Sequence, residues 1–326
     1  MREGKATVLM PGTCGELVQG TRDGVHFLVS CPVDMFSEVT VELTGNGRRV
    51  APPHLPKTVA AVETALRFFG CPRLGFRLEV NSPIPRGKGM GSSTADVAGA
   101  VYAVAQALGR EISLEDAARL CLAIEPTNSS LFPNIALFDH RTGSLCQELG
   151  PPPPIDILAL DFGGEVDTLS YNSVDRSALL KQLEPQAAQA LEMVRTGLAQ
   201  GDASLIGRGA TISARAHQRV LYKPQLEAVI ALAEEVGGLG VSVGHSGTII
   251  GVLLDPARPS PDWGRARHHR DGVAAYLRSK LDGLQHIHRC RLISGGCRQP
   301  REARKGSATS DSFPSPLLQR RGGQRG

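Results

Sequence analysis

No Cys-x-x-Cys pair occurs in this chain. Its seven cysteines, Cys14, Cys31, Cys71, Cys121, Cys146, Cys290 and Cys297, stand singly. An odd number without ligand spacing argues against a disulfide framework and against a zinc site. It fits a reducing, cytoplasmic compartment. No stretch approaches the ~20 apolar residues of a membrane span, so no membrane partner is expected. The opening "MREGKATVLMPG" has too short an apolar run for a signal peptide. There is no internal repeat. The body also lacks net charge. The formal charge is +4, yet seven Lys/Arg and only two Asp/Glu fall from Arg298 onward, leaving 29 basic against 30 acidic residues before it. The basic character belongs to the tail, and the body gives no reason to expect nucleic acid.

What is present is a chain of 326 residues, 41% of them hydrophobic, enough for one large or two ordinary domains with a real core. "HFLVSCPVDMFSEVTVELTGNG" is rich in β-branched residues and ends in a turn signal, predicting one or two strands. "KTVAAVETALRFFG" has helical spacing and a glycine stop. "LGFRLEVNS" alternates like a half-buried strand. "SLEDAARLCLAIE" opens on a capping serine, Ser113, with Glu115 and Asp116 in the first turn, a good helix start. "NIALFDHRTGSLCQEL" reads as a hairpin. Four prolines at 151–154 can join neither a helix nor a central strand, so they predict a stiff connector and a domain boundary. Beyond it come a buried strand "IDILALDF", helices near 176–200, 203–219 and 224–236, two strands joined at "GHSG", a helix over 265–281 and a closing strand "QHIHRCRLI". From Gly295 the chain is Gly/Ser/Arg/Pro-rich, and disorder over 295–326 is expected.

The most informative stretch is "PRGKGMGSSTAD", residues 85–96. Glycines let backbone N–H groups approach an anion, and a helix starting directly afterwards adds its positive end. A hydroxyl there can also hold Mg²⁺. Neither G-x-x-x-x-G-K-[ST] nor G-x-G-x-x-G is matched, because glycine follows Lys88 and Gly87, Gly89 and Gly91 are evenly spaced. On the residues alone the stretch is either an anion cradle or a glycine turn capped by Ser92 or Ser93.

"SPIPRGKGMGSSTA" resembles the second motif, P-x-x-x-G-L-G-S-S-A, of the GHMP kinases (galactokinase, homoserine kinase, mevalonate kinase, phosphomevalonate kinase), with Met90 for leucine and Thr94 before the alanine. "MPGTCGELVQG" is similar to the first motif and "GVSVGHSGTIIGVLL" to the third, and the resemblance covers about residues 5 to 292. It is densest toward the L-threonine kinases of cobalamin side-chain synthesis, through "TCGELVQG", "SCPVD", "KGMGSSTAD", "EPTNSS", "LFDH", "PPPPID" and "GHSG".

The resemblance implies an α+β two-layer GHMP kinase fold. Residues 1–150 would form an ATP-binding domain resembling one found in a ribosomal protein, and 155–292 a ferredoxin-like domain. It implies ATP and Mg²⁺ as cofactors and L-threonine as the small-molecule acceptor, with no nucleic acid. A homodimer is one option for an oligomeric state left open. Pro85, Arg86, Gly87, Lys88, Gly89, Met90, Gly91, Ser92 and Ser93 would cradle the phosphates, with Lys88 neutralising charge or merely solvated. Ser93 and Glu125 would ligate Mg²⁺, which favours few carboxylates plus phosphate and water oxygens.

Asn128 departs from the "EPTD" of the threonine kinases and cannot take up a proton at neutral pH. Either no base is needed, or another carboxylate such as Asp34 serves, or the enzyme is slow. Glu16 suits an amino acid's ammonium. Gln19 suits the carboxylate or hydroxyl side, and Asp34 and His245 complete the candidate substrate residues, each equally readable as structural. Cys14 reads as a small buried residue rather than a nucleophile. "RARHHR" and "HIHR" have no partners at ligand spacing. The competing readings are a homoserine or other small-alcohol kinase and, in a different class, a non-catalytic relative binding nucleotide or RNA.

Overall fold

The computed structural model describes residues 4–164, 174–258 and 269–300. Two long antiparallel strands, β1 (Lys5–Arg22) and β2 (Val25–Thr44), form its spine. They are joined at Asp23 and Gly24, whose φ values of 53° and 79° are those of a two-residue hairpin turn. The β-rich run at 26–47 is therefore one strand of 20 residues. β3 (Arg49–Val50) and β4 (Gly75–Asn81) extend the sheet beyond β2, and helix α1 (Pro56–Phe68) runs between them. The hairpin of β5 (Ile135–Phe138) and β6 (Cys146–Gly150) joins the other half of β2 through Leu28 and Val29.

Helix α2 (Ser92–Ala107) lies across β1 and β2 with 14 of its 16 residues buried. That placement explains its composition of alanine, glycine, valine and small hydroxyls, since only small side chains let a helix sit this deep. α3 (Leu114–Leu122) is capped by Ser113, whose hydroxyl accepts the Asp116 N–H. After the prolines come β7 (Asp156–Asp161), α4 (Ser177–Gln200), α5 (Ala203–His217), α6 (Leu226–Glu235), β8 (Gly240–Val243), β9 (Ile250–Leu254), α7 (His269–Lys280) and β10 (His286–Arg291).

The strands run β10-β7-β9-β8-β1-β2-β4-β3, so a single sheet crosses the proline connector through the pairing of Glu16 with Val243. The larger core follows it, from Val39 and Phe76 on one side to Ile157, Val194 and Leu253 on the other. A second core joins β7, β8 and β9 to α6 and α7. Residues 295–300, expected to lack structure, are tied in: Leu9 and Arg298 exchange two backbone hydrogen bonds of 2.9 Å, and the Gly296 N–H donates to the Ser130 carbonyl at 2.8 Å. The rest of the expected tail, and most of "RARHHR", lie outside the described residues. Among the described residues no helix is long and apolar enough to cross a membrane.

Candidate active site

The three glycine-bearing motifs meet at one point. β1 bulges between Pro11 and Val18, and bulges re-aim side chains out of the regular alternation. Here the Thr13 N–H donates to the Met90 carbonyl at 2.8 Å, fixing the 85–91 loop from one side. From the other side the Ile249 N–H donates to the Lys88 carbonyl at 3.0 Å. Backbone crosses backbone there: a Cβ on Gly247 would lie 2.2 Å from Gly89 N and from the Lys88 carbonyl. Gly91, at φ 70°, opens helix α2 without a side-chain cap. A Cβ on it would come within 2.9 Å of Asn128 Nδ2 and Thr13 Oγ1. The loop thus delivers the N-terminus of a sixteen-residue helix, with its unpaired N–H groups, to the floor of a cleft suited to an anion.

At the second residue of α2, the Ser93 hydroxyl donates to Glu125 Oε1, and the Lys57 ammonium pairs with Glu125 Oε2 at 2.5 Å. Glu125 is buried at the end of the segment following α3. A hydroxyl and a carboxylate in direct contact beside a phosphate-type cradle fit a hard divalent cation such as Mg²⁺, which takes few protein oxygens. Lys57 already supplies positive charge at that carboxylate.

The cleft continues into a cavity of about 140 Å³ whose walls include Thr13, Glu16, Leu28, Gly87, Gly89, Ser92, Ser93, Glu125, Asn128, His140, His245 and Ser246. Glu16 is 4% exposed, and its Oε2 has no hydrogen-bond partner among the described residues. Burial pushes its carboxyl up to about 8, against a Ser30 hydrogen bond that pulls it down. The His245 Nδ1–H donates to Gln19 Oε1 at 2.7 Å. Behind His245, His217 Nε2–H donates to the His245 carbonyl at 2.9 Å and buried Lys223 donates to the Gly244 carbonyl at 3.2 Å. Burial holds His217 down to about 3 and Lys223 down to about 8. These two side chains brace the turn that clamps the glycine loop.

The candidate residues divide. Gly87, Gly89, Met90, Gly91, Ser92, Ser93, Glu125, Asn128, Glu16 and His245 line the cavity, and Gln19 stands behind His245. Asn128 caps a short turn, its Oδ1 accepting the Ser130 N–H at 3.0 Å. Pro85 lies outside the lining, and Arg86 is turned onto the buried Asp96 carboxylate at 2.6 Å, whose other oxygen accepts from Ser37. Lys88 reaches the Gly164 carbonyl at 2.7 Å and Asp161 at 3.5 Å. Asp34 accepts the Arg291 N–H at 2.7 Å and lines neither this cavity nor the one beyond His245. Cys14 is fully buried, and burial pushes its thiol up to about 12, as befits an inert side chain. Sequence reasoning passed over Lys57, Thr13 and His140. Lys57 had no signal beyond an ordinary helix lysine, whereas His140 sits in the quoted "LFDH".

The family model described as "GHMP kinases N terminal domain" matches residues 56–137, and "GHMP kinases C terminal" matches 194–263. An L-threonine kinase of Salmonella typhimurium is 38% identical over 259 residues, spanning 78% of this chain and 84% of that one. An L-threonine kinase of Citrobacter freundii is 34% identical over 296 residues, spanning 89% and 98%. Among solved structures, a homoserine kinase from Cytophaga hutchinsonii superposes with a TM-score of 0.67 at 19% identity, covering 91% of this chain and 98% of that chain, a likeness of fold.

Proposed function

This chain belongs to the GHMP kinases, and from that premise we propose that it transfers the γ-phosphoryl group of ATP to the hydroxyl of L-threonine, giving ADP and O-phospho-L-threonine. The observation that carries the reading is a juxtaposition. The Ser93–Glu125 pair, just past the glycine loop, opens onto the same cavity as the Glu16 oxygen that has no partner among the described residues. One end suits a metal–phosphate group and the other an ammonium.

Phosphoryl transfer asks a protein mainly for positioning and charge stabilisation. The loop from Gly87 to Ser93 and the start of α2 hold the triphosphate. Ser93 and Glu125 would hold a Mg²⁺ ion, which would supply charge neutralisation at the phosphates. Glu16 orients the acceptor by its ammonium, and the Gln19–His245 pair shapes the wall beside it. Asn128, whose amide lies beside Gly91, can donate a hydrogen bond but cannot accept a proton, consistent with a loose transition state that leaves a base little to do. The motif resemblance extends the proposal to the aminopropanol arm of cobalamin synthesis. The seven scattered cysteines, with free thiols at Cys14, Cys31, Cys71, Cys121, Cys146 and Cys290, accord with a reducing cytoplasm.

Homoserine is the second reading, because the same ammonium site accepts it and a homoserine kinase of Moorella thermoacetica is 24% identical over 238 residues. One methyl in a pocket is worth only about 1–3 kcal/mol, so the two are separated by rate rather than by inspection. Coupled ADP release on L-threonine, L-serine, L-homoserine and mevalonate decides. The proposal expects the highest kcat/KM on L-threonine. Turnover of homoserine with none of threonine rejects it.

A further inference from the structure

The phosphoryl-transfer reading leaves His140 without a role. It stands two residues past β5 and is only 3% exposed, yet neither ring nitrogen has a hydrogen-bond partner among the described residues. Buried polar atoms are almost always paired, and an exception calls for an explanation. The backbone holds the ring in place. The His140 carbonyl accepts the Thr127 N–H at 3.0 Å, and the turn after it is fixed by Asp139, whose carboxylate accepts the N–H groups of Arg141, Thr142 and Ser144. Asp139 is thereby occupied by its own turn. The imidazole packs edge-on against His245, ring centroids 4.9 Å apart, and more loosely against His26 at 6.0 Å. His140 lines the same cavity as Glu16.

That cavity therefore presents two buried, unpartnered groups of opposite need. Glu16 Oε2 requires a partner, and an ammonium supplies one while drawing the raised carboxyl back to its charged form. The imidazole of His140, kept neutral by its burial, offers an N–H. A simple alcohol offers either group only a neutral hydroxyl, and an amino alcohol offers a charged partner to Glu16 alone. A zwitterion with ammonium and carboxylate on one carbon satisfies both. We propose that His140 is the specificity-determining residue that reads the α-carboxylate of the acceptor, with Glu16 taking the ammonium, so that this kinase selects α-amino acids over hydroxy compounds of the same shape. This rests on the amino-acid kinase reading above. Burial lowers the basicity of His26, His140 and His245, and the nearby Arg141 guanidinium adds to it, with the Asp139 carboxylate opposing at His26 and His140.

The test pairs each substrate with the analogue lacking one charge: L-threonine, 1-amino-2-propanol (no carboxylate) and 3-hydroxybutyrate (no ammonium). kcat/KM is measured for wild type, His140→Gln, His140→Ala and Glu16→Gln, each shown folded by circular dichroism and melting temperature. Calorimetric binding of the same three compounds in the presence of Mg²⁺ and a non-hydrolysable ATP analogue gives a second readout. Wild type should prefer L-threonine over 1-amino-2-propanol by at least about 10-fold, the factor of one hydrogen bond to a charged group. The His140 variants should lose about 10- to 100-fold on L-threonine and stay within about 3-fold on 1-amino-2-propanol and in KM for ATP. Glu16→Gln should lose on both amines and spare 3-hydroxybutyrate.

Equal losses on threonine and 1-amino-2-propanol, a loss confined to KM for ATP, or no change at all in folded His140 variants overturns the proposal. Should wild type turn over homoserine rather than threonine, the threonine assignment fails. The His140 proposal is then judged on homoserine against 3-amino-1-propanol with the same criteria.

Discussion

Asn128 stands three residues beyond Glu125 and beside Gly91, where a base would sit if one were needed. Its Oδ1 accepts the Ser130 N–H, and aspartate keeps that acceptor, so Asn128→Asp changes charge without undoing the turn. The expected effect on kcat is less than about 10-fold, because a loose transition state gains little from proton abstraction. A rise of several orders of magnitude contradicts this account. Ser93→Ala and Glu125→Gln should behave differently. Each removes an oxygen proposed to hold Mg²⁺, a contribution of several kcal/mol, so kcat should fall by at least about 100-fold. The Mg²⁺ dependence of ATP binding, followed by calorimetry, should weaken with it.

Arg86 is a sharper case, since the sequence placed it among the phosphate ligands and its guanidinium instead meets Asp96. Asp96 is 1% exposed, and a buried carboxylate is costly unless paired. Arg86→Met should lower stability by about 1–3 kcal/mol, the range for a hydrogen bond to a charged group, discounted because Arg86 itself is half exposed. KM for ATP should remain within about 3-fold. The reverse pattern, unchanged melting and a lost KM, returns Arg86 to the cradle.

At the scale of elements, the site is a junction of a bulged strand, a glycine loop and a turn, and the turn is the part most easily tested. Gly247→Ala forces a Cβ against the backbone of Lys88 and Gly89, where no side chain can move aside. ATP affinity should drop by at least about 10-fold even if the protein still folds, a shift of about 1.4 kcal/mol. Unchanged ATP affinity in a folded variant removes the clamp from the account.

The helices were largely legible, because periodicity, the cap at Ser113 and the glycine after α1 act locally. The glycine loop was legible as an anion site for the same reason. β1 was not read as a strand: its alternation is broken by bulges at the residues that build the site, although "DG" at 23–24 marked the hairpin. Glu16 and Ser93 were readable from residue type within a resembling motif. Lys57, some 68 positions before Glu125, and His140 were not, since their roles arise from a fold that brings distant segments together.

Taken whole, the molecule is one sheet carrying two cores, and its buried ionisable groups give it a defined response to pH. Burial keeps His140 and His217 neutral down to about 3 and depresses His245 in the same direction, whereas an unfolded histidine titrates at 6.5. Between 6.5 and 3 the unfolded chain binds more protons, so stability falls as pH falls. Glu16 acts oppositely. Its folded carboxyl is raised from 4.5 to about 8, so its contribution falls as pH rises through that window. Three histidines outweigh one glutamate below 6.5, and only Glu16 acts between 6.5 and 8. Urea midpoints should therefore peak near pH 6.5 and drop toward pH 5, and His217→Gln should flatten the acid side. A midpoint that rises steadily from pH 6.5 to 5 contradicts the assignment.

The central claim concerns what becomes phosphorylated. Incubation of the full chain with ATP, Mg²⁺ and an equimolar mixture of L-threonine and L-homoserine, read by phosphorus NMR and mass spectrometry of the products, tests it most directly. The account predicts O-phospho-L-threonine as the dominant product, absent when Glu125→Gln replaces wild type. O-phosphohomoserine as the sole phosphoester, or ADP and free phosphate with neither ester formed, contradicts it.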